Sequence, residues 1–297
     1  MPVAFVGQPA RALIAGGLFL AAALGAAPAP GATSAERCAE VFEVATHGGS
    51  TTRYAFASAE PGDSPEATIS LLLLPGGSGH LALDDSGCPH KLTANSLVRS
   101  LAAFAAEGFA TALLDAPSDF QGEDGLGSFR TSAEHADDLG KVIASLRQRS
   151  GGKVWIVGTS RGSLSAANAA ARLRGLAAPD GVVLTSLLMS GQTPAKKAWA
   201  AQTVFDLPLE SIDQPLLLVG HVDDRCVRSP PGLMAQVAAR TRSVRWQIVE
   251  VAGGSGDAGQ VGLAACTGNS AHGFSGQDKE IATGITRFIR GGEYSER

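Results

Sequence analysis

The sequence predicts an α/β fold in which a mostly parallel central sheet carries helices on both of its faces. The first observation behind this prediction is alternation, because short apolar runs are separated by longer stretches with helical periodicity. Strands that alternate with helices pair in parallel, since a crossover helix returns the chain to the same end of the sheet. The second observation is that polar and glycine-rich loops follow several apolar runs, at the strand ends where such folds bind ligands.

The predicted elements follow one another without an internal repeat or a long linker, which favours one domain. They begin with a hairpin around His47-Gly48-Gly49 and end with a closing helix. Unbroken apolar runs are interpreted as buried strands, and amphipathic stretches as helices. The predicted strands are 41–46, 51–57, 68–74, 109–114, 153–157, 181–187, the run from 214 that precedes Asp224, and 244–251; the predicted helices are 95–106, 131–149, 163–174, 194–203, 231–240 and 277–290.

Residues 1–32 are predicted to be an export signal rather than part of the fold. Arg11 precedes an almost unbroken apolar run, 12–27, and small residues and prolines follow it, as in signal peptides. A membrane anchor is the alternative, but the run is shorter than the roughly 20 residues that cross a bilayer. We therefore expect cleavage between residues 25 and 35, and a periplasmic or secreted domain, 33–297, without a membrane span.

Length and charge limit the classes of partner. The 297 residues suffice for one large hydrophobic core, and the net charge of −4 comes with no basic cluster. Nucleic acid is therefore not an expected partner, because its binding requires a concentrated positive surface. The composition leaves the oligomeric state unknown.

A serine between glycines, Gly158-Thr159-Ser160-Arg161-Gly162, separates the predicted strand 153–157 from the predicted helix 163–174. In the pattern G-x-S-x-G, such a strand-to-helix turn raises a serine hydroxyl above the sheet as a nucleophile. The glycines matter because side chains there would collide with the neighbouring strand and helix. A chance match is the alternative in a chain with 37 glycines, but the flanking elements favour a nucleophile.

An activated serine needs a base that takes its proton and an acid that orients the base. Two aspartates, Asp223 and Asp224, follow a predicted buried strand, and His272 lies in a later loop ahead of the closing helix. His272 is the expected base, because it combines a late position with a glycine-rich loop. The chain order is therefore serine, acid, histidine.

With this turn and this order, residues 40–292 resemble the α/β-hydrolase superfamily. In that superfamily the acid loop often reads His-Gly-x-x-Asp-x-x-Val, and alignment with 220–227 places Asp224 at the acid position. This chain has Gly220-His221 where His-Gly is usual, so Asp223 stays open as the alternative acid.

The resemblance also implies an oxyanion hole made of two backbone amides. One would come from the loop Pro75-Gly76-Gly77-Ser78-Gly79, at Gly77 or Ser78, and the other from Arg161. The glycines of this loop let backbone N–H groups approach a ligand closely. A nucleotide site is disfavoured, because the loop has neither a Walker lysine nor the spacing G-x-G-x-x-G.

All four cysteines lie in the part that is expected to be exported, and their even number predicts two disulfides. Three pairings are possible in principle. We favour Cys226–Cys266 and Cys38–Cys88, because the first pair would join the loops of Asp224 and His272. No metal is expected, since the sequence has no C-x-x-C or close Cys/His spacing.

Other polar residues have structural interpretations. His135 is expected on a solvated helix face and His221 at a packed strand end, while Asp115, Asp119 and Arg130 could face the site but are explained as well by turn caps and surface charges. The remaining histidines lie in loops: His47 in the hairpin turn, and His80 and His90 where they could contact a substrate.

The sequence thus predicts an exported serine hydrolase that cleaves carboxylic esters through an acyl-enzyme. Ser160, His272 and Asp224 would form its triad, and the chemistry needs no cofactor. The segment 189–213, where such folds often insert a cap, is short here, which favours small soluble esters and little or no lid. A peptidase or acyltransferase with the same triad, or a non-catalytic binding protein, are the alternatives.

Overall fold

An eight-stranded sheet forms the centre of the protein. In the computed structural model, residues 37–59, 69–192, 194–257 and 259–295 are described. The strand order is β1-β2-β4-β3-β5-β6-β7-β8, with β1, β2 and β4 paired antiparallel and the other neighbours paired in parallel. The strands are β1 (Glu40–Ala45), β2 (Thr51–Ala57), β3 (Ile69–Leu74), β4 (Ala110–Leu114), β5 (Lys153–Thr159), β6 (Gly181–Thr185), β7 (Leu216–His221) and β8 (Trp246–Val251).

Helices cover both faces of the sheet. They enclose two hydrophobic cores, one beneath α3 and α4 and the other beneath α2 and α6. The helices are α1 (Ser96–Arg99), α2 (Leu101–Ala106), α3 (Ala133–Ser150), α4 (Gly162–Arg172), α5 (Met234–Arg240) and α6 (Asp278–Ile289). The sequences of central strands such as β3 and β5 are almost continuously apolar because both faces of these strands are buried.

Most predicted elements are present within a few residues of their predicted bounds. Helix 95–106 is divided at Ser100 into α1 and α2, and the side chain of Asn95 caps α1 by accepting from the amide of Leu97. The predicted helix 194–203 is wrong, because this segment contains only a short 3₁₀ turn, Ala198–Ala201. The carbonyl of Ala200 in this segment instead accepts a hydrogen bond from outside it, from the amide of Gln192.

The segment between β6 and β7 carries no α-helix among its described residues. It consists of extended chain and three short 3₁₀ turns, Ala198–Ala201, Val204–Asp206 and Leu209–Ser211. This agrees with the prediction of little or no cap. Within the described part of the chain, no helix has both the length and the apolar character that a membrane span requires.

The predicted export signal, residues 1–32 with its cleavage region at 25–35, lies outside the described residues. The loops that carry the candidate site residues all begin where strands β3, β5, β7 and β8 end. Because these four strands are parallel, their carboxyl ends share one edge of the sheet, and loops distant in sequence meet there.

Candidate active site

Ser160 occupies a strained turn between β5 and α4. Its φ is +50°, in the left-handed region that costs a residue with a side chain about 1 kcal/mol or more. The two flanking glycines permit the turn. A Cβ on Gly162 would overlap the carbonyl oxygen of Leu74, and a Cβ on Gly158 would lie 2.5 Å from the carbonyl oxygen of Gly162. The motif therefore forms the sharp strand-to-helix turn that its sequence predicts.

His272 lies in a short 3₁₀ turn, Ala271–Gly273, and its side chain faces Ser160. The distance from His272 Nε2 to Ser160 Oγ is 2.9 Å, within hydrogen-bond range. The imidazole is buried, and the backbone behind it is held because Ser186 Oγ donates to the carbonyl of His272 at 2.6 Å. Arg99 adds a second support by donating to the carbonyl of Gly273 at 2.7 Å.

Asp224 contacts the other nitrogen of the same ring. The distance from His272 Nδ1 to Asp224 Oδ2 is 2.9 Å, and the second oxygen, Oδ1, accepts from the amide of Cys226 at 2.8 Å. Asp224 is buried, whereas Asp223 is exposed and its side chain has no partner within the described residues. The structure therefore brings Asp224, and not Asp223, to the histidine.

Ser229 is a site residue that sequence reasoning missed. Its buried hydroxyl donates to Asp224 Oδ2 at 2.8 Å and lies 2.9 Å from His272 Nδ1. It thereby fixes the carboxylate that orients the imidazole. No motif marks this serine, and its position five residues after Asp224 in the same loop is the only signal that could have indicated it.

The glycine-rich loop after β3 passes directly beside Ser160. A Cβ on Gly76 would lie 2.9 Å from Ser160 Cβ, and Gly77 has a φ of +59°. Within the described residues, the amides of Gly77 and Arg161 donate to no protein acceptor. Two N–H groups that flank a serine hydroxyl and lack partners can donate to an oxyanion that forms there.

Asp115 and Arg130 are buried and bond to the chain that follows β3, which corrects their interpretation as surface charges. Asp115 is buried, and its carboxylate accepts from the amides of Leu81 at 2.6 Å and Leu83 at 3.0 Å. Arg130 is only 1% exposed and donates to the carbonyl of Pro75 at 3.2 Å. These contacts are long-range in sequence, so residue spacing could not indicate them.

His135 is buried, so its expected place on a solvated helix face is wrong. The helix α3 turns it toward α4, where its Nε2 lies 2.8 Å from Ser165 Oγ. Burial first, and then the nearby charges of Arg130 and His47, lower the pKa of His135 to about 3. The ring is therefore neutral at physiological pH, and it accepts the serine proton because Arg130 donates to the same hydroxyl.

The other four histidines do not reach Ser160. His221 packs at the end of β7, as expected, where its Nε2 donates to the carbonyl of Gly253 at 3.0 Å. The other three contact aspartates. His47 contacts Asp138 and Asp119, His80 contacts Asp115, and His90 contacts Asp84. Asp119 therefore belongs to the contacts of His47 rather than to the site.

Two disulfides join Cys38 to Cys88 and Cys226 to Cys266, the pairs that the sequence argument favours. The second links the loop of Asp224 to the loop of His272 across 40 residues. Asp224, Cys226 and His272 also form a compact group of potential metal donors. The group does not favour a metal, because the cysteine sulfur is in the disulfide and the other two side chains bond to each other.

A small cavity of about 220 Å³ opens beside the serine. Its walls come from the glycine-rich loop after β3, the start of α1 and the loop that carries His272, and include Gly77, Asn95, Thr267 and Gly268. Apart from Leu92 and His272, its lining residues are small or neutral, and its volume lies below the 300–1,000 Å³ that accommodates drug-sized ligands. It therefore suits a short acyl or alcohol group.

Solved structures share this architecture. A serine hydrolase without a lid from Xanthomonas campestris is 17% identical, with 84% of this chain and 93% of that chain covered at a TM-score of 0.53. A proline iminopeptidase from Mycobacterium smegmatis is 12% identical, with coverage of 84% and 98% and a TM-score of 0.57. A soluble variant of monoglyceride lipase from Saccharomyces cerevisiae is 11% identical, with coverage of 89% and 98% and a TM-score of 0.58.

The chain therefore has the α/β-hydrolase fold, as its resemblance to that superfamily predicts. At these identities the likeness establishes the fold and leaves the reaction to be argued from the site. No protein-family model matches the sequence, and no curated protein matches it significantly.

Proposed function

We propose that the protein is an exported serine hydrolase that cleaves carboxylic esters of small soluble substrates. The observation that carries the proposal is the continuous contact from Ser160 Oγ through both ring nitrogens of His272 to Asp224, with 2.9 Å at each step. The serine belongs to the strained turn that presents a nucleophile, and the imidazole is held by a buried carboxylate.

In the proposed reaction, His272 Nε2 takes the proton of Ser160 as Oγ attacks the ester carbonyl carbon. Asp224 accepts a hydrogen bond from Nδ1–H, which keeps the free lone pair on Nε2 and stabilises the imidazolium. The amides of Gly77 and Arg161 donate to the oxyanion, and one such donor contributes about 3 kcal/mol to lowering the barrier. The imidazolium then protonates the leaving alcohol.

The second half of the proposed reaction repeats these steps with water. His272 takes a proton from water as the water oxygen attacks the acyl-enzyme carbonyl. The tetrahedral intermediate then collapses, the bond from the carbonyl carbon to Ser160 Oγ breaks, and the imidazolium returns the proton to Oγ as the acid leaves. A small cavity and the short segment between β6 and β7 support small substrates that reach the site without a mobile lid. The two disulfides and the signal-like residues 1–32 support export.

A fluorophosphonate probe and a series of p-nitrophenyl esters test the proposal. Wild type should be labelled covalently and should hydrolyse the short esters, and Ser160→Ala should do neither. Ser163→Ala is the matched control, because this neighbouring serine is buried and its hydroxyl donates to the carbonyl of Ser160. It should keep the label. Equal labelling of wild type and Ser160→Ala would end the proposal.

The same triad can transfer the acyl group to another acceptor or cleave a peptide bond. Peptide p-nitroanilides and added alcohols separate these reactions from ester hydrolysis, because they change the leaving group and the acceptor independently. Faster turnover of an amide than of the matched ester would favour a peptidase. A flat response to Ser160→Ala and His272→Ala would favour a non-catalytic binding protein.

A further inference from the structure

Three arginines lie on the loops and turns around the candidate site, and none of them forms an ion pair with a carboxylate in the described part of the chain. Arg161 follows the serine directly, Arg130 lies beneath the oxyanion loop, and Arg228 precedes Ser229 in the acid loop. Charges that leave water are normally paired, so three unpaired cations beside a candidate active site require an explanation.

Two of these arginines are buried and donate to neutral oxygens. Arg130 donates to Ser165 Oγ at 2.8 Å, and its Nε has no partner among the described residues. Arg228 donates to the carbonyls of Ser190 at 2.6 Å and Gln202 at 2.9 Å. Carbonyl and hydroxyl oxygens orient these guanidinium groups without neutralising them, so their positive charge acts on their surroundings.

Arg161 is the member of the three that can meet a ligand. Its guanidinium carbon lies 4.0 Å from the centre of the Trp199 ring, which fixes the plane of the group. Its Nη2 donates weakly to the carbonyl of Asp124 at 3.4 Å, while Nε and Nη1 form no hydrogen bond within the described residues, and the residue is half-buried. The carboxylate of Asp124 is itself bonded to Lys197, which offsets its charge.

The positive charges of Arg130, Arg161 and Arg228 repel one another. Burial first, and then the positive charge of Arg228, lower the pKa of Arg161 to about 10, although Asp124 acts in the opposite direction. Arg161 in turn lowers the pKa of Arg130, after the larger effect of burial. An anion placed against Arg161 would relieve this repulsion, and a neutral group would not.

We propose that Arg161 binds a carboxylate of the substrate, so that the preferred esters carry an acid group near the scissile carbonyl. The proposal rests on the proposed ester hydrolysis and names its substrate class. The planar guanidinium can make a two-point contact with a carboxylate, because Nη2 has a second N–H group that works together with Nε or with Nη1, and Trp199 holds the plane in place. Arg130 and Arg228 add attraction from fixed positions behind it.

Two matched pairs of esters test the proposal. One pair places the charge in the acyl part, p-nitrophenyl hydrogen adipate against p-nitrophenyl methyl adipate, and the other in the alcohol part, 4-acetoxybenzoate against its methyl ester. We expect wild type to prefer the charged member of at least one pair by about 10-fold or more in kcat/KM, a gain typical of a charge-assisted hydrogen bond. High salt should reduce this preference.

Arg161→Gln should lower the preference for the charged ester about 10-fold. Arg242→Gln is the matched control, because this exposed arginine lies ahead of β8, at the opposite edge of the sheet. It removes the same charge and should keep the preference. Equal rates for both members of both pairs in wild type, or an unchanged preference in Arg161→Gln, would overturn the proposal while the ester hydrolysis stands.

Failure of the proposed function has a separate signature, the absence of fluorophosphonate labelling at Ser160. In that case calorimetric titration with adipate tests whether Arg161 binds an anion, independently of any catalysis. Binding to wild type that Arg161→Gln weakens about 10-fold, and Arg242→Gln does not, would support it. No measurable binding of adipate to wild type would refute it.

Discussion

His47 and His272 both contact aspartates, yet they differ in what their two ring nitrogens do. His47 lies between two carboxylates, with Nδ1 2.5 Å from Asp138 Oδ2 and Nε2 2.9 Å from Asp119 Oδ2. His272 has one carboxylate, on Nδ1, and its Nε2 faces the hydroxyl of Ser160. Both nitrogens of His47 are bonded to carboxylates, whereas Nε2 of His272 is available for proton exchange with the serine.

This difference separates a structural histidine from a candidate base. Burial acts to lower the pKa of His47, but hydrogen bonds and charges from Asp138 and Asp119 outweigh it and raise the pKa above its ordinary value. The two contacts of this ring link the hairpin turn, the loop after β4 and α3. A general base must instead accept and return a proton within each turnover, which requires an open nitrogen.

The largest expected effect comes from exchanging each histidine for glutamine. His272→Gln should lower kcat by about 10⁶-fold, because both steps of the proposed reaction lose their base. His47→Gln should change kcat less than about threefold but lower Tm, because it breaks two contacts with carboxylates. Ester hydrolysis and thermal unfolding, monitored by circular dichroism, measure both. Comparable loss of activity in the two variants would contradict the distinction.

Exchange of the two neighbouring aspartates for asparagine sharpens the comparison further. Asp224→Asn should lower kcat about 10⁴-fold, because an amide no longer holds the histidine in the tautomer with Nε2 unprotonated. Asp223→Asn is the matched control and should change kcat less than about threefold, since this side chain is exposed. The reverse ranking would make Asp223 the acid.

Ser229 is expected to have a smaller effect, through Asp224. Ser229→Ala removes the hydroxyl that donates to Asp224 Oδ2 and should lower kcat about 10-fold, with KM nearly unchanged. Ser243→Ala serves as the control, because this buried hydroxyl donates to the carbonyl of Arg245, ahead of β8. A loss in Ser229→Ala that appears only in Tm would indicate that the serine merely packs the loop.

The smallest expected effect is the pH dependence of stability contributed by His47. Since the pKa of this group is higher in the folded state, its contribution is fully present below the unfolded pKa of about 6.5 and is lost as pH rises through the folded pKa. Urea unfolding of wild type and His47→Gln at several pH values measures this. The difference in free energy of unfolding should shrink toward alkaline pH, and a constant difference would contradict the assignment.

Local pattern predicted much of the fold and part of the candidate site. The strand before Ser160 and the helix after it are read from short-range hydrophobicity, and the glycines of the turn are required by contacts within a few residues. Segment 194–203 is not a helix because its carbonyls accept hydrogen bonds from other segments, that of Gln202 from Arg228 and that of Ala200 from the amide of Gln192. Helix propensity is a property of each residue and takes no account of hydrogen bonds to other segments.

Burial of polar side chains was the least predictable property. Arg130 and His135 read as surface residues, since charged and polar side chains usually face water. Both lie instead against Ser165 on α4, 30 or more residues away in the chain. Because these hydrogen bonds exist only when α3 and the turn before it pack against α4, nothing in the segments of Arg130 and His135 could indicate that the two side chains are buried.

The sequence by itself determined most of the strands and helices, the turn at Ser160 and the candidacy of His272. These follow from hydrophobic periodicity and from the few residues that can occupy a strained turn. Only the tertiary structure decided that Asp224 rather than Asp223 contacts the imidazole, that Ser229 holds that carboxylate, and that Arg130 is buried beside the loop after β3. The reason is geometric: which side chain of a loop points inward depends on how its ends are fixed by the sheet and by neighbouring loops.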